Sequence, residues 1–218
     1  MTTPAKCSRF PILECLLTTI SLPIVASAWI LYLGGGAMSW DTYNHHIYLG
    51  AQALHGSRLT HDVFAVGGMS CQYPLGYAPL VALTEMGVSG KVTFMTLAAL
   101  AGLMSPAIWL LHWQLVPGRR GQDVAVRIMG CALAFSGLLW WKVVSQSSND
   151  MVALVPGLWS IAICGWAASA ESVRRGPFYV LCVIAGALAA LAIVIKLTMF
   201  VAAVAAIVLI ILSNTPFP

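Results

Sequence analysis

Residues 178–212 decide the class of protein: they read FYVLCVIAGALAALAIVIKLTMFVAAVAAIVLIIL, with Lys196 as their only charged side chain. A helix needs about 20 apolar residues to cross the hydrocarbon core of a bilayer, so this stretch predicts two crossings, 178–195 and 197–212. The whole chain shares the pattern, since 60% of its residues are hydrophobic and 8% are charged. Soluble domains carry roughly 25% charged residues. The sequence therefore predicts an all-α, polytopic transmembrane helical bundle.

This composition also excludes several classes of function. The chain has 11 Lys+Arg, 7 Asp+Glu and a formal net charge of +4, and its mean hydropathy is +0.88. Such a chain is neither a nucleic-acid binder nor a disordered tail. Its six cysteines include no CxxC pair, so no zinc site or disulfide framework is predicted. No phosphate-binding GxxxxGK[ST] motif is present, which argues against ATP-driven chemistry.

The first apolar run, 12–33, follows Lys6 and Arg9. Because basic residues gather on the cytoplasmic side of membrane segments, we expect the N-terminus to be cytoplasmic. A cleaved signal peptide is the rival interpretation, since Ala26-Ser27-Ala28 resembles a signal-peptidase site. The apolar run continues to Leu33 and is long enough to span the membrane.

Charge also decides how the segment 75–88 is interpreted. If this segment crossed the membrane, the later arginines would lie outside, against the positive-inside tendency. We therefore expect it to be a short re-entrant or interfacial segment, which places the arginines in the cytoplasm: Arg119, Arg120, Arg127, Arg174 and Arg175. About six spans follow from this choice: 12–33, 92–116, 128–144, 151–169, 178–195 and 197–212. The outer loop 34–74, the connection 145–150 and Lys196 then share the outer face.

The outer loop holds a predicted amphipathic helix over residues 41–55. At 100° per residue, polar side chains form one stripe and mostly apolar ones lie opposite. The stripe consists of Asp41, His45, Tyr48, Gln52 and His55, and the opposite face of Tyr43, Ile47, Gly50, Ala51 and Leu54. The stripe is either the wet face of an interfacial helix, with Asp41 as its N-cap, or the lining of a cavity in which a carboxylate acts as general base. Gly56 is the expected C-cap.

Three further polar groups have two interpretations each. His45 and His46 suggest a metal, but adjacent helical residues point about 100° apart, so only Asp41 and His45 form a candidate pair. Asp150 is either a helix cap or a functional carboxylate. Lys196 is either a snorkelling lysine or an intramembrane functional group.

Two motifs stand out in the polar segments. The first is Asp41-x-x-Asn44-x-His46-x-Tyr48, followed by Ala53-Leu54-x-Gly56, Arg58, Asp62 and Gln72-x-Pro74-Leu75. The second is Ser148-Asn149-Asp150-Met151, and residues 186–198 form a Gly-containing run that ends near Lys196. These segments resemble the first outer loop, the second acidic motif and the Gly-rich helix ending in a lysine of GT-C type membrane glycosyltransferases, in particular bacterial enzymes related to polyprenyl-phosphate-mannose-dependent mannosyltransferases. Because family members usually have more spans, we expect this chain to be an N-terminal portion or a short form.

The resemblance implies an inverting transfer of a sugar from a polyprenyl-phosphate donor to an acceptor hydroxyl. Asp41 would be the general base and Asp150 the second acidic residue at the catalytic site. The residues expected to bind substrate are Asn44, His45, His46, Tyr48, Gln52, Arg58, Gln72 and Lys196. A divalent cation such as Mg²⁺ or Mn²⁺ is compatible with this chemistry, with Asp41 and His45 as its ligands.

The same resemblance places the chain in the bacterial inner membrane, with membrane lipid, the lipid-linked donor and a glycan, lipid or protein acceptor as partners. Two alternatives remain open. A transporter or flippase would place ionisable groups near the bilayer midplane. A structural membrane subunit would need packing alone.

Overall fold

The computed structural model describes residues 11–56, 74–169 and 175–212, and every regular element within them is helical. In chain order the helices are α1 (Ile12–Tyr32), α2 (Ile47–His55), α3 (Ala78–Glu85), α4 (Gly90–Ala101), α5 (Met104–Leu115), α6 (Gly121–Ala134), α7 (Leu138–Val144), α8 (Asn149–Ser169), α9 (Arg175–Ile195) and α10 (Phe200–Leu212). A π-helical turn, Thr42–His46, leads into α2. Two 3-10 turns, Pro74–Tyr77 and Leu197–Met199, precede α3 and α10.

Within the described ranges, four helical stretches are long and apolar enough to cross a membrane: Ile12–Tyr32, Gly90–Leu115, Asn149–Ala168 and Pro177–Ile195. The pair α6 and α7 makes a fifth if the two helices count as one broken span, since they bend by 62° between Ala134 and Leu138. A multi-pass membrane protein is therefore supported. Large apolar side chains exposed on the surface of the bundle agree with this conclusion, such as Leu13 and Val183, both 71% exposed.

The six predicted spans are only partly confirmed. The stretch 197–212 folds as a 3-10 turn and the 13-residue helix α10, which is shorter than the ~20 residues of a full crossing. The predicted span 128–144 begins earlier, at Gly121, and is broken around Gly137. The segment 75–88 contains α3, whose eight residues are too few to span. Whether α3 or α2 lies in the membrane interface stays a prediction.

Helix α8 is the centre of the bundle and contacts α4, α5, α9 and α10. Small side chains let the neighbouring helices approach α8 closely. This is usual in membrane helix bundles, where no hydrophobic effect drives the helices together. Ala153, Ala185, Ala189 and Ala192 are all buried. The hydroxyl of Ser160 donates to the carbonyl of Ala185 at 2.8 Å and is itself buried.

Helix α1 packs against α4 and α5. The closest approach is at Gly102, between those two helices, where an added Cβ would lie 2.6 Å from the Pro23 nitrogen. Leu22, Ala26 and Ile30 of α1 are buried there with Phe94 and Met104. This packing fixes the end of α1 from which the chain leads to Asp41.

Candidate functional site

The segment that carries Asp41 is wound as a π-helical turn rather than a regular α-helix. A π-helix has more residues per turn than the 3.6 assumed for the polar stripe, so the predicted faces are only partly kept. Thr42, His45 and His46 are buried together, whereas Tyr43, at 68% exposed, and Ile47 face outward. The imidazole rings of His45 and His46 lie edge to face with centroids 4.4 Å apart. The expectation that these side chains point about 100° apart applied to a regular α-helix, and this segment is not one.

The end of α2 follows the prediction. Gly56 has a φ of 62°, and its backbone N–H donates to the carbonyl of Gln52. A positive φ of this kind favours glycine, which ends the helix. His55 in the last turn contacts Glu85 of α3, with 2.7 Å between Nε2 and Oε1. This contact and the packing of α2 on α3 hold the Asp41 segment against the bundle.

A second segment, the connection between α7 and α8, meets the Asp41 segment. The backbone N–H of Ala37 donates to the carbonyl of Ser145 at 2.7 Å, and Ala37 pairs with Gln146 in a parallel bridge. The hydroxyl of Ser147 lies 2.6 Å from Thr42 Oγ1 and 2.6 Å from His46 Nδ1. Residues about 100 positions apart are thus joined by buried hydrogen bonds.

A third segment reaches the same end of the bundle through Lys196. Its ammonium group forms an ion pair with the carboxylate of Asp150, which also accepts a hydrogen bond from Ser148. Asn149 donates to the carbonyl of Ile195 at 3.3 Å. The run around Lys196 contains no acidic residue, so the sequence pattern did not identify Asp150 as its partner.

His46 lies where these segments converge. Burial is the largest cause that lowers its pKa, to about 4; His45 and Lys196 lower it further, and Asp41 and Asp150 oppose the shift. The ring of Tyr77 stacks on that of His46 with centroids 4.5 Å apart. Burial, with Asp150 and Asp41, raises the pKa of Tyr77 to about 12. Both rings are therefore uncharged at neutral pH.

Asp41 and His45 form the loosest contact of the site, with 3.9 Å between Oδ1 and Nδ1. The Asp41 side chain is 51% exposed, and that of His45 is 7% exposed. His45 Nδ1 is buried without a hydrogen-bond partner. In the described part of the chain, no group of three or more His, Cys, Asp or Glu side chains could hold a metal ion.

The other predicted site residues are placed as follows. The amide of Asn44 donates to the carbonyl of Trp40 at 2.7 Å. Tyr48 and Gln52 are half-buried along α2. Arg58, Asp62 and Gln72 lie outside the described residues. Sequence reasoning did not select Thr42, Tyr77 or Ser147 as site residues, because nothing in their local pattern indicates a partner so distant in sequence.

A narrow crevice of about 20 Å³ is lined by Gly76, Gln146, Ser147 and Ser148 among others. It shares Leu97, Ala101 and Val152 with an apolar cavity of about 230 Å³. The apolar cavity is walled by α3, α4, α8 and α9, through residues such as Pro79, Leu100, Val155 and Leu191. The crevice beside Ser147 and the apolar cavity between the helices are therefore neighbours.

Comparison with models of known protein families, with curated proteins and with solved structures gave no match.

Proposed function

We propose that the chain is an integral membrane glycosyltransferase that transfers a sugar from a polyprenyl-phosphate donor to an acceptor hydroxyl, with inversion. The observation that carries this proposal is the convergence of an exposed carboxylate, Asp41, and a lysine–carboxylate pair, Lys196–Asp150, on His46. Such a reaction needs a base for the acceptor and a positive charge for the departing phosphate. Both groups are present at one end of the bundle.

The environments of the two carboxylates suggest different roles. Asp150 is ion-paired with Lys196 and accepts a hydrogen bond from Ser148. Asp41 is half-exposed, and its nearest basic group in the described residues is His45, at 3.9 Å. A carboxylate without a tight cationic partner is free to accept a proton. Asp41 is therefore assigned as the general base, and Asp150 as the residue that holds Lys196 in place.

The reaction balances with these groups. The acceptor hydroxyl gives its proton to Asp41 while its oxygen forms a bond to the anomeric carbon of the donor sugar. The bond between that carbon and the phosphate oxygen breaks, and its electron pair leaves with the polyprenyl phosphate. The attack comes from the face opposite the leaving group, so the anomeric configuration inverts.

The leaving phosphate gains negative charge, which Lys196 and Arg58 would stabilise at the membrane surface. A divalent cation such as Mg²⁺ or Mn²⁺ commonly takes one or two carboxylates together with substrate phosphates. Asp41 and His45 are the predicted ligands, but no third His, Cys, Asp or Glu side chain joins them in the described part of the chain. A cation held by Asp41 would also make that carboxylate a weaker base. The transfer is therefore proposed without a cation.

The apolar cavity between α3, α4, α8 and α9 also supports a lipid-linked donor, because its volume of about 230 Å³ suits part of a prenyl chain. The neighbouring crevice of about 20 Å³ has room for no more than a water molecule, so the phosphate and sugar would lie at the exposed Asp41 carboxylate. Segment 75–88 contributes Gly76 to the crevice and Pro79 to the apolar cavity. Asn44, His45, His46, Tyr48, Gln52 and Gln72 would orient the hydroxyl groups of sugar and acceptor.

The proposed setting is the outer face of a bacterial inner membrane, with the N-terminus in the cytoplasm. Within the described residues, the arginines around α6 lie at the end of the bundle opposite to Asp41. Arg119 and Arg120 precede α6, and Arg127 contacts Glu14 in the first turn of α1. This distribution favours an outward-facing Asp41.

The test is a sugar-transfer assay with purified protein in lipid vesicles, using Asp41→Asn. We expect turnover to fall by about 10²- to 10⁴-fold, the usual contribution of a general base. Asp123→Asn is the matched control, because Asp123 lies at the start of α6, where it accepts a hydrogen bond from the backbone of Arg120. Asparagine also serves at such caps, so this variant should keep full activity. Full transfer by Asp41→Asn would remove Asp41 as the base.

A further inference from the structure

A chain of hydrogen bonds runs from Ser39 to His46 through two buried hydroxyls. The hydroxyls of Ser39 and Thr42 lie 3.0 Å apart, Thr42 and Ser147 2.6 Å, and Ser147 lies 2.6 Å from His46 Nδ1. Thr42 is 0% exposed, Ser147 5% and His46 7%. Buried polar groups of this kind are normally fully hydrogen-bonded, so each proton in the chain must have an acceptor.

Each hydroxyl has one proton to donate, which leaves two possible directions for the chain. The backbone N–H of Ser39 donates to Thr42 Oγ1 at 3.0 Å and that of Thr42 to Ser39 Oγ at 3.2 Å, and both are accepted in either direction. If donation runs from Ser39 to Thr42, Ser147 and His46, all three hydroxyl protons have acceptors within the protein. The reverse direction leaves the proton of the half-buried Ser39 to solvent.

The direction of donation sets the tautomer of His46. When Nδ1 of a neutral imidazole accepts a hydrogen bond, its proton is on Nε2, on the other side of the ring.

We propose that the Ser39–Thr42–Ser147 chain fixes His46 as the neutral Nε2–H tautomer, and that Nε2–H donates a hydrogen bond to an oxygen of the substrate bound beside Asp41 and Asp150. Thr42 and Ser147 are then positioning residues. The assignment of the tautomer stands on the hydrogen bonds alone, whereas the contact with substrate rests on the proposed glycosyl transfer.

A neutral His46 imidazole suits this site better than a protonated one would. The charged and titratable groups around His46 are His45, Asp41, Asp150, Lys196 and Tyr77. A protonated His46 would attract Asp41 and make that carboxylate a weaker base. A neutral His46 can bind a substrate oxygen and leave Asp41 free to take the proton of the acceptor.

The first test is nitrogen NMR of the full chain in detergent micelles, with ¹⁵N-labelled histidine. The His46 signals are those that disappear in His46→Gln. We expect Nδ1 to give the shift of an unprotonated nitrogen and Nε2 that of a protonated one, from pH 7 down to about pH 5. A protonated Nδ1 in the unmodified protein would overturn the proposal, whatever its activity.

Two variants of Ser147 test what fixes the tautomer. Ser147→Ala removes the hydroxyl that donates to Nδ1, so His46 should become a mixture of tautomers. Ser147→Thr keeps a hydroxyl and should restore the single Nε2–H form. An unchanged single tautomer in Ser147→Ala would show that this chain does not set it. If Ser147→Ala does not fold, the spectrum of the unmodified protein still decides which tautomer His46 adopts.

A pair of variants at His46 tests the contact with substrate. Glutamine retains an N–H donor near the position of Nε2, whereas leucine fills similar space without one. We expect His46→Leu to raise the KM for the donor or the acceptor by about fivefold to tenfold, the usual loss for one hydrogen bond. His46→Gln should have a KM close to that of the unmodified protein. An equal rise in KM for both variants, or no rise in either, would overturn the substrate contact while leaving a measured tautomer in place.

Discussion

Lys196 illustrates which roles of single residues could be predicted here. A charge in an apolar run indicates a special role, and the structure pairs it with Asp150. The residue type drew attention to Lys196, but the partner lies 46 positions away and depends on how α8 and α9 pack. The same limit applies to Ser147, whose contacts with Thr42 and His46 depend on segments that meet only in the folded chain.

At the residue scale, His46 gives a pH dependence of stability. Its pKa is lowered from 6.5 to about 4 in the folded chain, so between these values the unfolded chain binds more protons. Stability from this group is therefore complete above about pH 6.5 and is lost as the pH falls toward 4. The free energy of unfolding should fall by up to roughly 3 kcal/mol between pH 7 and pH 4.5. Thermal unfolding in detergent should therefore show a lower midpoint temperature at pH 4.5.

His46→Gln is the control for this pH dependence, because glutamine does not titrate and other groups are unchanged. Its midpoint should fall less steeply over the same range. Equal slopes for the two proteins would show that His46 is not the group responsible.

The pair α6 and α7 was the element most poorly predicted. Apolarity alone suggested one span over 128–144, but the structure begins the helix at Gly121 and bends by 62° before α7. The added first turns of α6 contain Arg127, which the sequence pattern assigned only to the cytoplasmic side. Its side chain is 0% exposed and binds Glu14, an acidic residue within the first predicted span.

This contact fixes α6 against the beginning of α1. Both Arg127 Nε and Nη2 donate to the Glu14 carboxylate at 2.7 Å, and Nη1 donates to the carbonyls of Val116 and Gly118. The indole of Trp109 donates to Glu14 at 2.8 Å, and the guanidinium lies 4.7 Å from the ring centroid of Trp113. All of these groups are at the end of α1 opposite to Asp41, so we assign them a structural role.

At the element scale, removal of one partner should destabilise the bundle strongly. Glu14→Gln leaves the Arg127 charge buried and unpaired, which usually costs about 3–5 kcal/mol. We expect a clearly lower thermal midpoint in detergent. Arg119→Met, at an exposed arginine nearby, should change little. Similar midpoints for Glu14→Gln and Arg119→Met would contradict the structural role of the pair.

At the scale of the whole molecule, composition predicted more than any motif did. A scarcity of charge and long apolar runs correctly indicated a helical fold with several helices long and apolar enough to cross a membrane, whereas the number of spans depended on a short last helix and a broken one. The meeting of the outer loop, the 145–150 connection and Lys196 followed from the order of the spans. Asp41 and Asp150 could be selected from the sequence, but the hydrogen bonds that join their segments could not.

The proposed membrane orientation can be tested with the same order of helices. Topology reporters fused after Gly56 and after Arg119 should lie on opposite sides of the membrane, with the Gly56 reporter outside. The reason is that basic residues prefer the cytoplasmic side. Enzymatic reporters active only outside, paired with fluorescent ones active only inside, distinguish the two sides. Placement of both reporters on one side would separate Asp41 from its proposed surface.

A cysteine cross-link tests most directly that Asp41 and Asp150 belong to one site. Ala37 and Gln146 pair in a parallel bridge on the two segments that carry these carboxylates. Disulfides form across Cα distances of about 4.4–6.8 Å, so Ala37→Cys with Gln146→Cys should cross-link readily in native membranes. Ala37→Cys with Gln122→Cys, at the start of α6, should not. Efficient cross-linking of the second pair and none of the first would contradict the shared site.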